Sequence, residues 1–515
     1  KDHARLTMMG GVINPYTYNM PRGTGGQWNS PAIRTTGLML TPSGLQTGPL
    51  VGRWYDWGSF RGGFSLYRRH WGWDPENREK MGEADPIWVR YDEHLDQVRI
   101  AGVHPANIDY GDEYDSGEYV LTAHAGPWIF GVASYKRWLH ENVRRVVPIP
   151  RRAKEMFGFR SLNMTNYPCD PRETTCDYAD LPMFAADSAE HGLYDLNIWK
   201  GFNYTLPLTE DCFYKNWGGL PAWNEAVLKC RQLGVTVTAF VSWLSLWSET
   251  CDNYGIQERS GSWAGSRHTV PRFNAPYAKK WSCWQLWDHS HPRWRNDVLE
   301  GLRFLRDKAE CPTISWDQYV LGDHSDETLH DVINEYRLET EKLYPGTVWS
   351  AESTLFFESE LDNTDFTWNG IERTGGRWEW DFRAFMHIVD GMRPNVNIED
   401  NPIDVKHCMM DNVMLNVCTS VPRQSGWSKI SEFPETSAIL KTCFRIRQRY
   451  LAYFADGEAL GDCVLSEECN VHVTAYRHEG SLLILVLQED GQDRVLKLNL
   501  VPFLGEGSYY AEVRG

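Results

Sequence analysis

One stretch restricts the folds open to this chain more than any other. Within residues 311–360, two short runs rich in β-branched and aromatic residues, 312–317 and 346–352, enclose a segment with apolar Leu329, Val332, Ile333, Tyr336, Leu338 and Leu343. Apolar residues three and four apart mark one face of a helix, and the flanking runs have strand composition. Strand, helix, strand is the unit of a parallel sheet. Each run ends on a carboxylate, Asp317 and Glu352. A lone acid there is more often an N-cap or a loop ion pair than a catalyst. Two acids at the ends of consecutive parallel strands are more restrictive, because that face of a barrel carries its chemistry.

The same rhythm recurs on both sides. Strands are predicted at 157–165, 194–199 and 235–243, then the two runs above, then 364–369, 395–400 and 413–421. Helices are predicted at 181–193, at 223–233 with Gly234 as its stop, at 292–308 and at 434–454. The nearly unbroken apolar run at 235–243 suits a strand covered on both faces. Eight strand–helix repeats give an α/β fold, a (β/α)8 TIM barrel over 151–455. An insertion at 244–291 holds Trp247, Trp263, Trp281, Trp284 and Trp287 with Arg267, His268, Asp288, His289 and His291. So long a loop at the catalytic end of the third strand reads as a lid or subsite wall.

Both flanks read as β structure. Residues 1–150 alternate at 37–40, 88–91, 97–103, 117–123 and 128–132, predicting an N-terminal β-sandwich. The aromatic, glycine-dense segments 52–58 and 68–74 read as loops, either walling the neighbouring site or packing irregularly. A helix at 135–147 and the proline-bearing 147–150 close this domain. Residues 456–515 alternate at 462–467, 471–477, 482–488, 493–500 and 509–513, predicting a small C-terminal antiparallel β-sandwich.

Composition narrows the partners. A net charge of −17 does not suit a phosphate-tracking surface, so no nucleic acid is expected. No run of about 18 apolar residues predicts a membrane span. Trp outnumbers Phe, 24 to 20. Indoles fill cores, and they also stack on sugar rings. The 12 Cys show no CxxC spacing, so neither a structural zinc nor a cofactor is expected. Asp323-His324-Ser325-Asp326 reads as a helix N-cap before it reads as a cation site. Cys169/Cys176 and Cys463/Cys469 are candidate local disulfides. They predict a secreted or periplasmic protein whose leader or upstream segment has been removed before Lys1; a cytosolic enzyme with buried thiols is the alternative. Asn163 and Asn203 open glycosylation-type triplets, relevant only in a eukaryotic secretory host.

Two carboxyl groups on adjoining strand ends are what glycoside hydrolysis needs, so a carbohydrate substrate is expected. Trp316-Asp317-Gln318 and Ser350-Ala351-Glu352 give the barrel the look of a retaining glycoside hydrolase. It is similar to the α-amylase-like clan and to endo-α-N-acetylgalactosaminidase-type enzymes. The resemblance implies an α-linked substrate, Asp317 as nucleophile and Glu352 as general acid/base. It also implies a transition-state-stabilising carboxylate ending strand seven, for which Asp400 is the nearest match. Ser315 stands where those families carry an Arg. Trp199, Trp243 and Trp316 are candidates to stack on the sugar or line the pocket. Asp195 and Arg393 are candidates either for sugar hydroxyls or for buried ion pairs tying strand ends together. Glu358, Glu360, Asp362 and Asp365 compete with Glu352; α-galactosidase-like barrels use an Asp on strand six as acid, which Asp365 would match. A carbohydrate-binding protein on a degenerate barrel is the non-catalytic alternative. Endo or exo action and oligomeric state are left open.

Overall fold

The fold, taken from a computed structural model, is described for residues 5–8, 34–35, 39–41, 44–46, 54–69, 87–92, 97–102, 111, 113, 118–142, 145–164, 176–199, 201–202, 208–241, 245–247, 268–269, 283–286, 292–311, 313–316, 327–352, 363–368, 383–398, 402–417, 428–467, 469 and 471–512. The N-terminal part holds β1 (Arg5–Met8), β2 (Arg34–Thr35), β3 (Met39–Thr41), β4 (Gly44–Gln46), β5 (Trp54–Ser59), β6 (Gly62–Arg69), β7 (Ile87–Asp92), β8 (Gln97–Gly102) and β9 (Glu118–Ala125). They form one five-stranded sheet, β2-β1-β5-β6-β9, and two hairpins, β3-β4 and β7-β8. The face-to-face layering that defines a sandwich is not among the described features.

Two expectations are corrected here. The segment at 52–58 is neither a wall over the site nor an irregular loop, because β5 occupies it between β1 and β6. Its inward positions are Trp54, Asp56 and Gly58. The strand period is hidden in sequence because one of the three is an acid. Asp56 Oδ2 accepts a hydrogen bond from Ser65 Oγ at 2.7 Å and meets His124 Nε2 at 2.7 Å. The run 128–132 is a helical turn, α1 (Trp128–Gly131), where Val132 N–H donates to Trp128 O. Short apolar runs do not separate strand from helix by period alone. Pro127 begins this turn, and Trp128 packs edge-on to Trp54 at 6.2 Å. Helices α2 (Ala133–Asn142) and α3 (Arg151–Glu155) lead into the barrel.

The centre is a closed barrel of eight strands, every neighbouring pair parallel. In chain order these are β10 (Gly158–Asn163), β11 (Asp195–Trp199) after α4 (Leu181–Ala189), and β12 (Thr236–Val241) after α5 (Gly219–Gln232). Gly234, at φ 76°, ends α5 as its sequence predicts. The insertion contributes a small antiparallel sheet, β13 (Ser245–Trp247), β14 (His268–Thr269) and β15 (Cys283–Leu286). It is therefore not a structureless loop; Trp263, Trp281, Trp287, Arg267, Asp288, His289 and His291 lie outside the described residues. Then come α6 (Pro292–Asp307), β16 (Thr313–Trp316), α7 (Glu327–Leu343), β17 (Trp349–Glu352), β18 (Phe366–Trp368), α8 (Arg383–Ile388), β19 (Arg393–Ile398), α9 (Pro402–Met410) and β20 (Met414–Val417).

Side-chain alternation divides each strand between helices and lumen. Leu196, Ile198, Val237, Ala239, Val241, Ile314 and Trp349 join the core beneath the outer helices. Phe159, Phe240, Val348, Phe366 and Met414 form a separate cluster in the lumen. Phe159 and Phe366 come from non-adjacent strands and meet at 5.4 Å across it. Strands of a tilted barrel are staggered, so lumen positions fall into layers of four drawn from alternate strands. The registers put Asp195, Thr313, Phe366 and Met414 lowest, and Phe159, Thr238, Ser350 and Asn395 next. Asn197, Ser315, Trp368 and Asn416 follow, and above them Ser161, Phe240, Glu352 and Asn397.

After α10 (Pro434–Arg449) and α11 (Leu451–Ala455) the chain forms β21 (Glu458–Gly461), β22 (His472–His478) and β23 (Ser481–Leu487), a three-stranded antiparallel sheet, and then α12 (Val501–Leu504). Of the alternating runs expected there, 462–467 and 493–500 form the single bridge Leu465↔Leu498, with Ser466 N–H donating to Lys497 O at 2.9 Å and Asn499 N–H to Val464 O at 2.8 Å. Residues 509–512 form no strand. The Cys463–Cys469 disulfide is not formed: Cys469 is a thiol, contacting Val471 O at 3.8 Å. Cys169 lies outside the described residues.

One core joins Trp54 and Tyr67 of the first sheet, Trp128 and Tyr135, Ala384 and Met386 of α8, and Val473 and Tyr476 of the last sheet. His387 is buried in that junction. Its Nδ1 donates to Ala459 O at 2.9 Å, its own carbonyl accepts from Lys136 Nζ at 2.6 Å, and its ring lies edge-on to Trp128. Burial, with Lys136 beside it, pushes the imidazole from 6.5 down to about 4. Between those values the unfolded chain binds the extra proton and the folded chain does not. The stability held by neutral His387 is therefore full above pH 6.5 and lost as pH falls toward 4. About 3 kcal/mol is at stake. Thermal melts of wild type and His387→Gln at neutral pH and near pH 4.5 check this: the variant is expected to lose less on acidification, and equal losses contradict it.

Candidate active site at the C-terminal mouth of the barrel

Glu352 is the last residue of β17, in register with Trp368 of β18. It shares strand parity with Ser350, a lumen position. Within the upper two layers just given, Glu352 is the one ionisable residue. Trp316 ends β16, aligned with Val241 and Ala351, and shares parity with helix-facing Ile314. That register does not favour Trp316 as a wall of the mouth. Asp317, Trp243 and Asp400 lie outside the described residues, as do Glu358, Glu360, Asp362 and the 323–326 cluster.

Trp199 ends β11 one step above the Glu352 layer, is half-buried, and stacks on Phe240 with centroids 4.5 Å apart and planes 16° from parallel. The stack fixes the indole against the lumen wall at the mouth.

Three other candidates sit at the opposite rim. Asp195 opens β11 rather than closing it. Its Oδ1 accepts from Thr238 Oγ1 at 2.7 Å and its Oδ2 pairs with Arg152 at 3.1 Å. Thr238 Oγ1 also meets Thr313 Oγ1 at 2.6 Å. Burial pushes the Asp195 carboxyl up to about 6, against the pull of Arg152 and Thr238. Arg393 opens β19 and spends its guanidinium on the backbone carbonyls of Asn412, Met156, Ala153 and Val413. Both residues tie strand beginnings together, Asp195 through an ion pair with Arg152 and Arg393 through backbone carbonyls. Asp365 precedes β18, so it too lies at the N-terminal rim. It is gripped by Arg337 at 2.9 Å, by Arg145 at 2.8 Å and by Trp349 N–H at 2.7 Å. An acid there is remote from the mouth, so Asp365 does not suit the strand-six role.

Sequence reading missed the polarity of the lumen. Ser161, Asn197, Ser315, Ser350, Asn395 and Asn416 are all buried at lumen positions, where barrels ordinarily carry bulky branched side chains. The signal was present: 195–199 reads Asp-Leu-Asn-Ile-Trp and 395–398 reads Asn-Val-Asn-Ile, with a polar residue at alternate positions. Among the described residues no His, Cys, Asp and Glu cluster is arranged to hold a metal ion, and no helix is long and apolar enough to cross a membrane.

No family model matches this chain. No curated protein matches it either. Solved structures do. The GH36 α-galactosidase AgaA from Geobacillus stearothermophilus superposes with a TM-score of 0.51 at 11% identity, covering 87% of this chain and 64% of its own. The galactosidase domain of the α-galactosidase-sucrose kinase AgaSK gives 0.50 at 11%, covering 87% of this chain and 62% of its own. A noncanonic maltogenic α-amylase, AmyB from Thermotoga neapolitana, gives 0.46 at 13%, with 65% and 85% covered. This chain thus spans less than two thirds of either α-galactosidase chain. At 11% identity the likeness is one of fold, and in fold this chain resembles solved α-galactosidases over most of its length.

Proposed function

We propose that this chain is a glycoside hydrolase acting on an α-linked oligosaccharide, polysaccharide or glycoconjugate by retaining double displacement. The observation that carries the proposal is the position of Glu352, the one ionisable residue in the two upper lumen layers described, ending strand five of a closed parallel barrel in which Trp199 ends strand two. Asp317, the residue that follows Trp316 in sequence, is the second acid of the proposed pair, and a retaining pair lies about 5–5.5 Å apart. Glu352 would protonate the glycosidic oxygen while Asp317 attacks the anomeric carbon. Water would then release the sugar, with Glu352 as base. The α-galactosidase names of the structural neighbours agree with this chemistry. The sandwich reading of the flanking sheets, the lid role of the insertion, the strand-seven role of Asp400 and an exported location belong to the same proposal.

A panel of aryl α- and β-glycosides, with NMR of the first-formed anomer, tests it. Expected is release of phenol from an α-glycoside with the α-anomer appearing first. A β-anomer first would overturn retention, and binding of sugar with no turnover by any member would favour the carbohydrate-binding alternative. Trp199→Ala is expected to raise KM about tenfold, the equivalent of ~1.4 kcal/mol of lost stacking, while kcat changes little. A fall in kcat at constant KM would place Trp199 elsewhere in the reaction.

A further inference from the structure

The lumen at and beneath the level of Glu352 contains polar atoms that the fold leaves unmatched. Among the described residues, Ser161 Oγ, Asn197 Oδ1 and Ser315 Oγ are buried and make no hydrogen bond. Their residues are exposed by 4%, 2% and 0%. Ser161 shares the Glu352 layer; Asn197 and Ser315 belong to the layer below, with Asn416. Leaving such a group unmatched costs about 1–3 kcal/mol, and three lie at adjoining lumen positions. Buried polar groups of this kind are commonly met by enclosed water making two to four hydrogen bonds. A sugar cannot reach atoms this deeply covered, whereas water can.

We infer that Ser161, Asn197 and Ser315 hold enclosed water in the lumen, at and one layer below the register level of Glu352, and that through this water they act as positioning residues for it. The inference rests on the proposed role of Glu352. The lumen positions of the strands carry two other charges, Asp195 and Arg393, both at the far rim and already partnered; Asp317 is the charge expected above. The enclosed water is therefore an uncharged polar support for Glu352 from the lumen. It hydrates the carboxylate form, and its loss favours the protonated form.

Three variants test this, Ser161→Ala, Ser315→Ala and Asn197→Leu, with Ser315→Thr as the conservative rescue. The readout is the pH dependence of kcat/KM on the best aryl glycoside, alongside the melting temperature. Each alanine or leucine variant removes one hydrogen-bond partner of the enclosed water, which is mildly destabilising. Expected, then, are slightly lower melting temperatures with the alkaline limb shifted upward by about one pH unit, and a wild-type profile for Ser315→Thr. The serine variants carry the test if Asn197→Leu does not fold. Unmoved limbs in active variants would overturn this inference and leave the glycosidase reading standing. Wild-type inactivity on every glycoside would overturn that reading and this inference with it.

Discussion

Glu352→Gln is expected to lower kcat on a glycoside with a poor leaving group by about 10²–10⁴-fold, with the melting temperature unchanged. Glutamine keeps the shape and loses the proton. A leaving group that departs unaided needs that proton less, so an activated aryl glycoside is expected to lose far less in the glycosylation step. Asp317→Asn differs in kind: it removes the atom that bonds to the sugar and is expected to abolish turnover of both substrates. Initial rates on the two substrate types separate the roles. Equal and small losses for Glu352→Gln on both would contradict its assignment as acid.

Asp365→Ala is expected to be the most destabilising single change at an ion pair, at about 3–5 kcal/mol, read as a fall in the urea midpoint. The side chains of Asp365 and Arg337 are both 0% exposed. The acid accepts hydrogen bonds from Arg337, Arg145 and Trp349 N–H, and its own N–H donates to Trp349 O at 2.8 Å. Burial still pushes its carboxyl up to about 6. Desolvation thus outweighs two guanidiniums, so the pair adds little net stability. Removing the acid alone is a different matter. It strands a buried Arg337 cation, which stacks over Trp349 at 5.4 Å, and severs β17 from the start of β18. Asp365→Leu combined with Arg337→Met is expected to recover much of the loss. The folded fraction of Asp365→Ala should keep its specific activity. An Asp365→Asn protein that is fully stable and inactive would return the catalytic acid to strand six.

The architecture was legible because each barrel strand carries outward apolar residues bounded by turn or helix signals. Eight strands and their order follow from that rhythm, and Gly234 stops its helix where expected. Boundaries were less legible. Predicting strand seven at 395–400 left Arg393 just before it, with sugar contact and a tie between strand ends both open; β19 in fact begins at Arg393. Asp195 heads a strand whose start was read to within one residue, and its two roles stayed open because its partner Arg152 lies 43 residues away in sequence. The segment at 52–58 was taken for loop because Asp56 and Gly58 interrupt its apolar face, and only the Ser65 and His124 partners explain a buried acid there. The polar lumen lay in plain view at alternate positions, but separating lumen from helix side needs the closed register. Trp316 shows the same limit, since its aromatic character suggested the pocket and its parity goes with Ile314.

The central claim is that Glu352 works as acid/base opposite a covalent sugar on Asp317. Azide rescue of Glu352→Ala on an activated aryl glycoside tests it most directly. In the variant the glycosyl–enzyme forms but waits, because no base activates water. Azide needs no base, attacks the anomeric carbon and displaces the Asp317 carboxylate. The predicted result is a rate that rises with azide and a glycosyl azide of the substrate's own anomeric configuration. A rate indifferent to azide, or an azide product of inverted configuration, would contradict the account.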